Sequence, residues 1–244
     1  MNILSIGNSF SEDAQRYLHG IAKKDGAELY TVNLCIGGCS LEIHAKNAKS
    51  GEPAYVFQEN GVITDRMISL KDGLALKEWD VVTIQQVSIK SFLRDTYYPY
   101  VFELVDFIKA NAPGAKLVIQ ETWAYEDGSD RLEDVRGDRS APSMHRDVKN
   151  VYEIIAKEIN ADGIIPSGDL LELMRQRKVG NLYRDALHVS YGLGRYAVGL
   201  LWYHTLTGAD VTDNDFSDFD EPLSEEEIAA TKTCVMEFAP LFGR

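Results

Sequence analysis

Basic side chains are in short supply in this sequence. Lysine and arginine total 25 against 38 aspartates and glutamates, and the formal net charge is −13. A surface so poor in positive charge has no stripe with which to neutralise phosphates, so no nucleic-acid partner is expected. Cysteine is scarcer still: Cys35, Cys39 and Cys234, with no Cys-x-x-Cys pair. That indicates neither a disulfide framework nor a zinc site and fits a reducing, cytoplasmic setting. No apolar run approaches the roughly 20 residues that cross a bilayer, so no membrane partner is expected. Asn2 to Ile6 is too short for the apolar part of a leader peptide and reads as a strand. Internal repeats, linkers and low-complexity stretches are missing too. His19, His44, His145 and His204 are scattered without ligand spacing, and no metal is expected.

What is present is an alternation of short apolar runs with helical patterns. Asn2–Ile6, Glu28–Leu34, Asp80–Gln85, Leu117–Gln120 and Gly163–Pro166 read as strands. Between and after them, Glu12–Asp25, Ser40–Ala48, Tyr97–Asn111, Ser143–Asn160, Asp169–Lys178 and Gly192–Thr207 carry apolar residues at helical spacing, and Ser224 with Glu227 caps a terminal helix. This order predicts one α/β domain over residues 1–244, a three-layer α/β/α sandwich around a five-stranded parallel sheet. Residues 50–79 are the irregular part. There Tyr55–Gln58 and Met67–Leu70 are expected to pair across Asn60-Gly61 as a small hairpin outside the main sheet. Trp123–Pro142 is polar and reads as a long exposed loop.

Two segments carry chemistry. Gly7-Asn8-Ser9-Phe10 follows the first strand, where open α/β sheets bind ligands. The bland alternative is that Ser9 or Ser11 only caps the next helix, since Ser9-x-x-Glu12 fits a capping box. Near the other end, Asp185-Ala186-Leu187-His188 spaces a carboxylate so that it can accept from an imidazole Nδ1–H and leave Nε2 as a base. Alone, such a pair is a common surface or core feature. Together the segments complete a Ser-His-Asp set divided between the two ends of the chain.

On these residues the sequence resembles the SGNH or GDSL hydrolase superfamily. Gly7-Asn8-Ser9-Phe10 is similar to its first block, with asparagine where aspartate is usual, and Asp185-x-x-His188 to its last. Asn33-Leu34-Cys35-Ile36-Gly37-Gly38 is similar to the second, with Cys35 where a glycine often stands. The resemblance implies a flavodoxin-like fold, Ser9 as nucleophile, His188 as base and Asp185 as its orienter. It also implies an oxyanion hole that includes the Ser9 and Gly38 N–H groups. The third block departs from the pattern. Where Gly-x-Asn-Asp is usual, this chain has Ile84-Gln85-Gln86-Val87, so a glutamine amide is the candidate donor, Gln86 first and Gln85 second. Asn8, Gln85, Trp123 and Tyr125 are candidate substrate contacts, against the alternative that the aromatics only support the loop. The resulting expectation is a cofactor-free serine esterase acting on short-chain esters, first of all an O-acetyl group on a small molecule or carbohydrate. The alternatives are a lysophospholipase or thioesterase acting on lipids, and a carbohydrate-binding protein that kept the fold without the activity.

Overall fold

A computed structural model describes residues 1–242. Its centre is a sheet of seven strands in the order β4-β3-β2-β1-β5-β6-β7. Five of them run parallel: β1 (Asn2–Gly7), β2 (Tyr30–Cys35), β5 (Val81–Ile84), β6 (Lys116–Gln120) and β7 (Gly163–Ile165). These are the five strands that the apolar runs predict. Their spatial order is that of a flavodoxin-like doubly wound sheet, in which the chain changes direction on either side of β1 and leaves a crevice at its carboxyl end.

The strand count and the place of residues 50–79 need correction. Tyr55–Glu59 (β3) and Val62–Ile68 (β4) do form a hairpin across Asn60-Gly61, but it joins the main sheet. β3 pairs antiparallel with β2, matching Val32 to Glu59 and Cys35 to Val56. Both turn residues have positive φ, +50° and +78°, as a two-residue Asn-Gly hairpin requires. A β-carbon on Gly61 would lie 2.3 Å from the Arg16 carbonyl oxygen, so the turn packs directly on backbone next to β1's helix. The hairpin thereby becomes a wall beside the crevice.

Helices cover both faces. On one side α1 (Ser9–Gln15), α2 (Leu18–Lys24), α8 (Ser167–Gln176) and α10 (Glu225–Val235) surround α9 (Leu193–Thr207). Fourteen of the fifteen α9 residues are buried, which suits a helix apolar on nearly every side. On the other side lie α3 (Leu41–Ser50), α4 (Leu70–Ala75), α5 (Tyr100–Asn111) and α7 (Ala141–Glu158). The Trp123–Pro142 segment is less open than expected: it contains α6 (Asp130–Arg136), capped by Ser129. The helix expected over Glu12–Asp25 is broken at Arg16-Tyr17, where the Tyr17 hydroxyl donates to the Tyr191 carbonyl at 2.6 Å. No described helix is long and apolar enough to cross a membrane.

Candidate active site

The turn after β1 is held by Asn8, not by a serine. The Asn8 Oδ1 accepts from the Phe10 N–H at 3.0 Å, which makes Asn8 the N-cap of α1. Ser9 is therefore the first helical residue, and its hydroxyl is not engaged in capping. Ser11 is also occupied, its Oγ lying 2.8 Å from both the Asn8 carbonyl and the Asn33 Oδ1. The half-buried Ser9 Oγ instead meets the His188 Nε2 at 2.9 Å across 179 residues of chain.

The His188 segment is a tight loop rather than a helical turn. A bridge between Tyr183 and Val189 closes it, with the Arg184 N–H donating to the His188 carbonyl at 3.1 Å. Inside it, Asp185 Oδ1 accepts from the Leu187 and His188 N–H groups at 2.8 and 2.7 Å, and Oδ2 lies 2.9 Å from His188 Nδ1. Partial burial opposes ionisation of Asp185, but these hydrogen bonds from His188 and Leu187 outweigh it and hold the carboxyl below its usual pKa. A carboxylate there fixes the imidazole with Nδ1 protonated and Nε2 turned to Ser9.

Aromatic packing and buried charge fasten this loop to the first helix. Trp123 stacks on Phe10 with ring centres 4.0 Å apart, and its Nε1 donates to the Leu187 carbonyl at 3.0 Å. Asp13, fully buried on α1, accepts from Arg184 Nη1 at 2.9 and 3.0 Å and from Arg195 Nε at 2.8 Å. Burial raises the pKa of the Asp13 carboxyl, and the two guanidinium groups work against it. Arg184 also donates to the Val189 carbonyl, and Arg195 reaches Asp220 at 2.8 Å. The sequence offers Arg184 and Arg195 only as neighbours of His188. A polar residue on the apolar flank of the first helix, Asp13, is the signal that would have found their partner.

The glutamines do not take the places expected of them. Gln86 is fully buried; its Oε1 accepts from the Leu41 and Val87 N–H groups at 3.0 and 2.9 Å. Its Nε2 donates to the Thr96 carbonyl and hydroxyl at 3.2 and 3.3 Å. Every polar atom of that side chain is engaged in joining β5 to its flanking loops, so Gln86 is corrected from oxyanion donor to structural brace. Gln85 lies nearer the serine, but its Nε2 donates to Asn8 Oδ1 at 2.6 Å. Asn8 in turn donates through Nδ2 to the Cys39 carbonyl at 3.1 Å. Thus Asn8 and Gln85 are buried residues, Asn8 tying the serine turn to the Gly37-Gly38 turn and Gln85 tying it to the end of β5, rather than open surface for a substrate. That second turn is closed by the Cys39 N–H donating to the Ile36 carbonyl at 3.1 Å. Gly38 has φ +63° and is exposed, so glycine is needed at this position.

Trp123 and Tyr125 are likewise fully buried, and the Tyr125 hydroxyl pairs with that of Ser88 at 3.0 Å. They support the site from beneath and offer no surface to a sugar. The open groove beside Ser9 has a different lining. It encloses about 320 Å³ between Ser9, Glu12, the Cys35–Gly37 strand end and the β3–β4 wall at Ala54, Val56 and Ile63. Gln58 forms part of it, donating through Nε2 to Glu12 Oε2 at 2.7 Å and accepting from Asn33 Nδ2 at 2.7 Å. Burial pushes the Cys35 and Cys39 thiols up to about 12, so neither is a nucleophile near neutral pH.

Comparison with known proteins places this arrangement. The family model described as a domain of unknown function, DUF4886, matches residues 2–235. A crystal structure of a DUF4886 family protein from Bacteroides uniformis is similar at 30% identity with a TM-score of 0.91, covering 97% of this chain and 93% of that one. A provisionally assigned SGNH hydrolase from Slackia heliotrinireducens follows the same fold at 24% identity and a TM-score of 0.60, over 84% of this chain and 98% of its own. The family 3 carbohydrate esterase of Clostridium thermocellum does so at 14% identity and a TM-score of 0.52, over 83% and 93%. No curated protein sequence matches the chain. The three-layer sandwich is that of the SGNH hydrolases, with two strands more than the five expected.

Proposed function

This chain belongs to the DUF4886 family, and from that premise we propose that it is a serine esterase that cleaves short-chain esters through an acyl-enzyme. The observation that carries this reading is the unbroken relay from Ser9 Oγ to His188 Nε2 and from His188 Nδ1 to Asp185, with 2.9 Å at each step.

The chemistry follows from the atoms. His188 Nε2 takes the proton of Ser9 as Oγ attacks the ester carbonyl, and Asp185 stabilises the imidazolium without leaving its place. The negative charge then grows on the carbonyl oxygen. Its donors in this proposal are the Ser9 N–H, one of the unpaired amides that open a helix, and the Gly38 N–H on the turn that Asn8 holds. Collapse of the adduct passes the imidazolium proton to the leaving alcohol. Water, deprotonated by the same nitrogen, then releases the acid from Ser9. No metal or cofactor enters this scheme.

The groove suits a small ester better than a long lipid: its wall is largely apolar, but its volume of about 320 Å³ lies at the low end for small-molecule sites. An O-acetyl group on a hydroxyl-rich carrier such as a carbohydrate is the substrate class we assign. The test is hydrolysis of p-nitrophenyl acetate by the parent chain and by Ser9→Ala and His188→Ala. Activity lost in both variants supports the reading, and equal rates in all three proteins overturn it. A series from acetate to decanoate should fall steeply with length; a rise would transfer the proposal to lipid esters.

A further inference from the structure

A second cluster of ionisable side chains lies along the same edge of the sheet, beyond β6 and β7, and the hydrolytic scheme does not use it. Glu121 follows β6, His145 sits on α7 and Asp169 in the first turn of α8. His145 Nε2 is 2.8 Å from Asp169 Oδ1 and 3.9 Å from Glu121 Oε1. One ligand atom from each of the three lies within 4.8 Å of the others. Glu121 is only 2% exposed, and its Oε1, turned toward the other two, is buried with no hydrogen-bond partner. An orphaned carboxylate oxygen aimed at an imidazole and a second carboxylate is an unfinished polar site. The chain is closed tightly around it. A β-carbon at Gly168 would come within 2.6 Å of the Thr122 carbonyl and 3.0 Å of the same Oε1.

We propose that Glu121, His145 and Asp169 bind one divalent zinc-like ion. One nitrogen and two carboxylate oxygens suit Zn²⁺, whereas Ca²⁺ and Mg²⁺ ask for more oxygens and no imidazole. Around a tetrahedral zinc, neighbouring ligand atoms are about 3.4 Å apart. The separations of 2.8 and 3.9 Å bracket that value, so small rotations of the side chains suffice. Lys149 occupies the entrance, its Nζ donating to both Asp169 oxygens at 3.0 and 2.8 Å. With 44% of its side chain exposed, it can swing into water and leave a position for a solvent ligand. Lys149 is therefore the competitor for the ion. The scattered histidines of the sequence give no sign of this site, because its ligands come from three separate elements, with Glu121 and Asp169 each 24 residues from His145.

Zinc uptake by the full chain tests the proposal, measured by elemental analysis after dialysis and by competition titration. One equivalent is expected in the parent. Loss of a supporting partner of a metal ligand typically weakens binding about 10–100-fold, and loss of a direct ligand costs at least as much. Glu121→Gln and His145→Ala are thus expected to weaken binding by about 100-fold or more. Glutamine keeps the size and shape of the Glu121 side chain, and the melting temperature of the zinc-free proteins checks that each variant is folded. Lys149→Ala should bind zinc more tightly than the parent. Equal affinity in the parent and Glu121→Gln, or no zinc retained by either the parent or Lys149→Ala, overturns the proposal.

Discussion

Replacing Asp13 with alanine should unfasten the base-bearing loop from the helix that bears the serine. Asp13 is fully buried, and the side chains of its partners Arg184 and Arg195 are 17% and 10% exposed. Alanine takes from the Arg184 guanidinium the carboxylate it pairs with and leaves Arg195 to Asp220 alone. Breaking a buried ion pair from one side costs about 3–5 kcal/mol, against about 0–1 kcal/mol for an exposed pair. For a domain of this size each kcal/mol moves Tm by about 2–4 °C, so a fall of about 6–20 °C is expected in a thermal melt followed by circular dichroism. Activity should fall as well, because Arg184 also holds the Val189 carbonyl next to His188, and a displacement of about 1 Å can cost 10²-fold in rate. The companion is the triple variant Asp13→Ala, Arg184→Met, Arg195→Met, which removes the stranded charges and should melt above the single variant. A loss below about 1 kcal/mol in Asp13→Ala would refute the reasoning. So would a triple variant no more stable than the single.

Four further outcomes are expected. Asp185→Asn should keep the fold but lose most ester hydrolysis, and unchanged kinetics would remove Asp185 from the relay. Gln86→Leu strands the Leu41 and Val87 N–H groups and should cost about 1–3 kcal/mol in urea unfolding while lowering kcat less than tenfold. A drop of about 10²–10³ would return Gln86 to the oxyanion site. Trp123→Ala should cost about 3–5 kcal/mol and reduce kcat more than it changes KM, since the ring props the Leu187 carbonyl from below; a shift in KM alone would argue for direct substrate contact. Burial pushes the His44 imidazole down to about 3 from an ordinary 6.5, so the unfolded chain takes up its proton first as pH falls. Its contribution is complete above about pH 6.5 and drains away between there and about pH 3, amounting to about 2 kcal/mol lost by pH 5. Urea unfolding at pH 7 and pH 5 should show that loss in the parent and less of it in His44→Leu; the same pH dependence in both would discard the assignment.

The readable parts of this protein are those fixed by neighbours in sequence. Asp185 and His188 lie three residues apart, so the spacing alone brings ring and carboxylate together. The five parallel strands are short apolar runs, each bounded by its own turn. Gln86 illustrates the opposite case. Which way a side chain points at a strand end depends on what fills the space around it, here Leu41 and Thr96 from two separate segments. The capping role went to Asn8 instead of Ser9 because its amide also meets Gln85 and Cys39, two strands away from each other. Residues 55–68 advertised a hairpin, but its attachment to β2 depends on edge-to-edge pairing and on Gly61 lying against Arg16, neither of which leaves a local trace. Trp123 looked like a platform for sugar because its burial is decided by Phe10, more than a hundred residues earlier. The Asp13 pairs span 171 and 182 residues and are invisible for the same reason.

The separation of 179 positions between Ser9 and His188 also sets a schedule. During synthesis the Ser9 hydroxyl precedes the His188 imidazole by that whole length of chain. Throughout that interval Ser9 lacks its imidazole partner. The Ser9–His188 hydrogen bond thus forms only in molecules whose α1 and distant loop have already docked, and a translation product that stops short of residue 188 lacks it altogether.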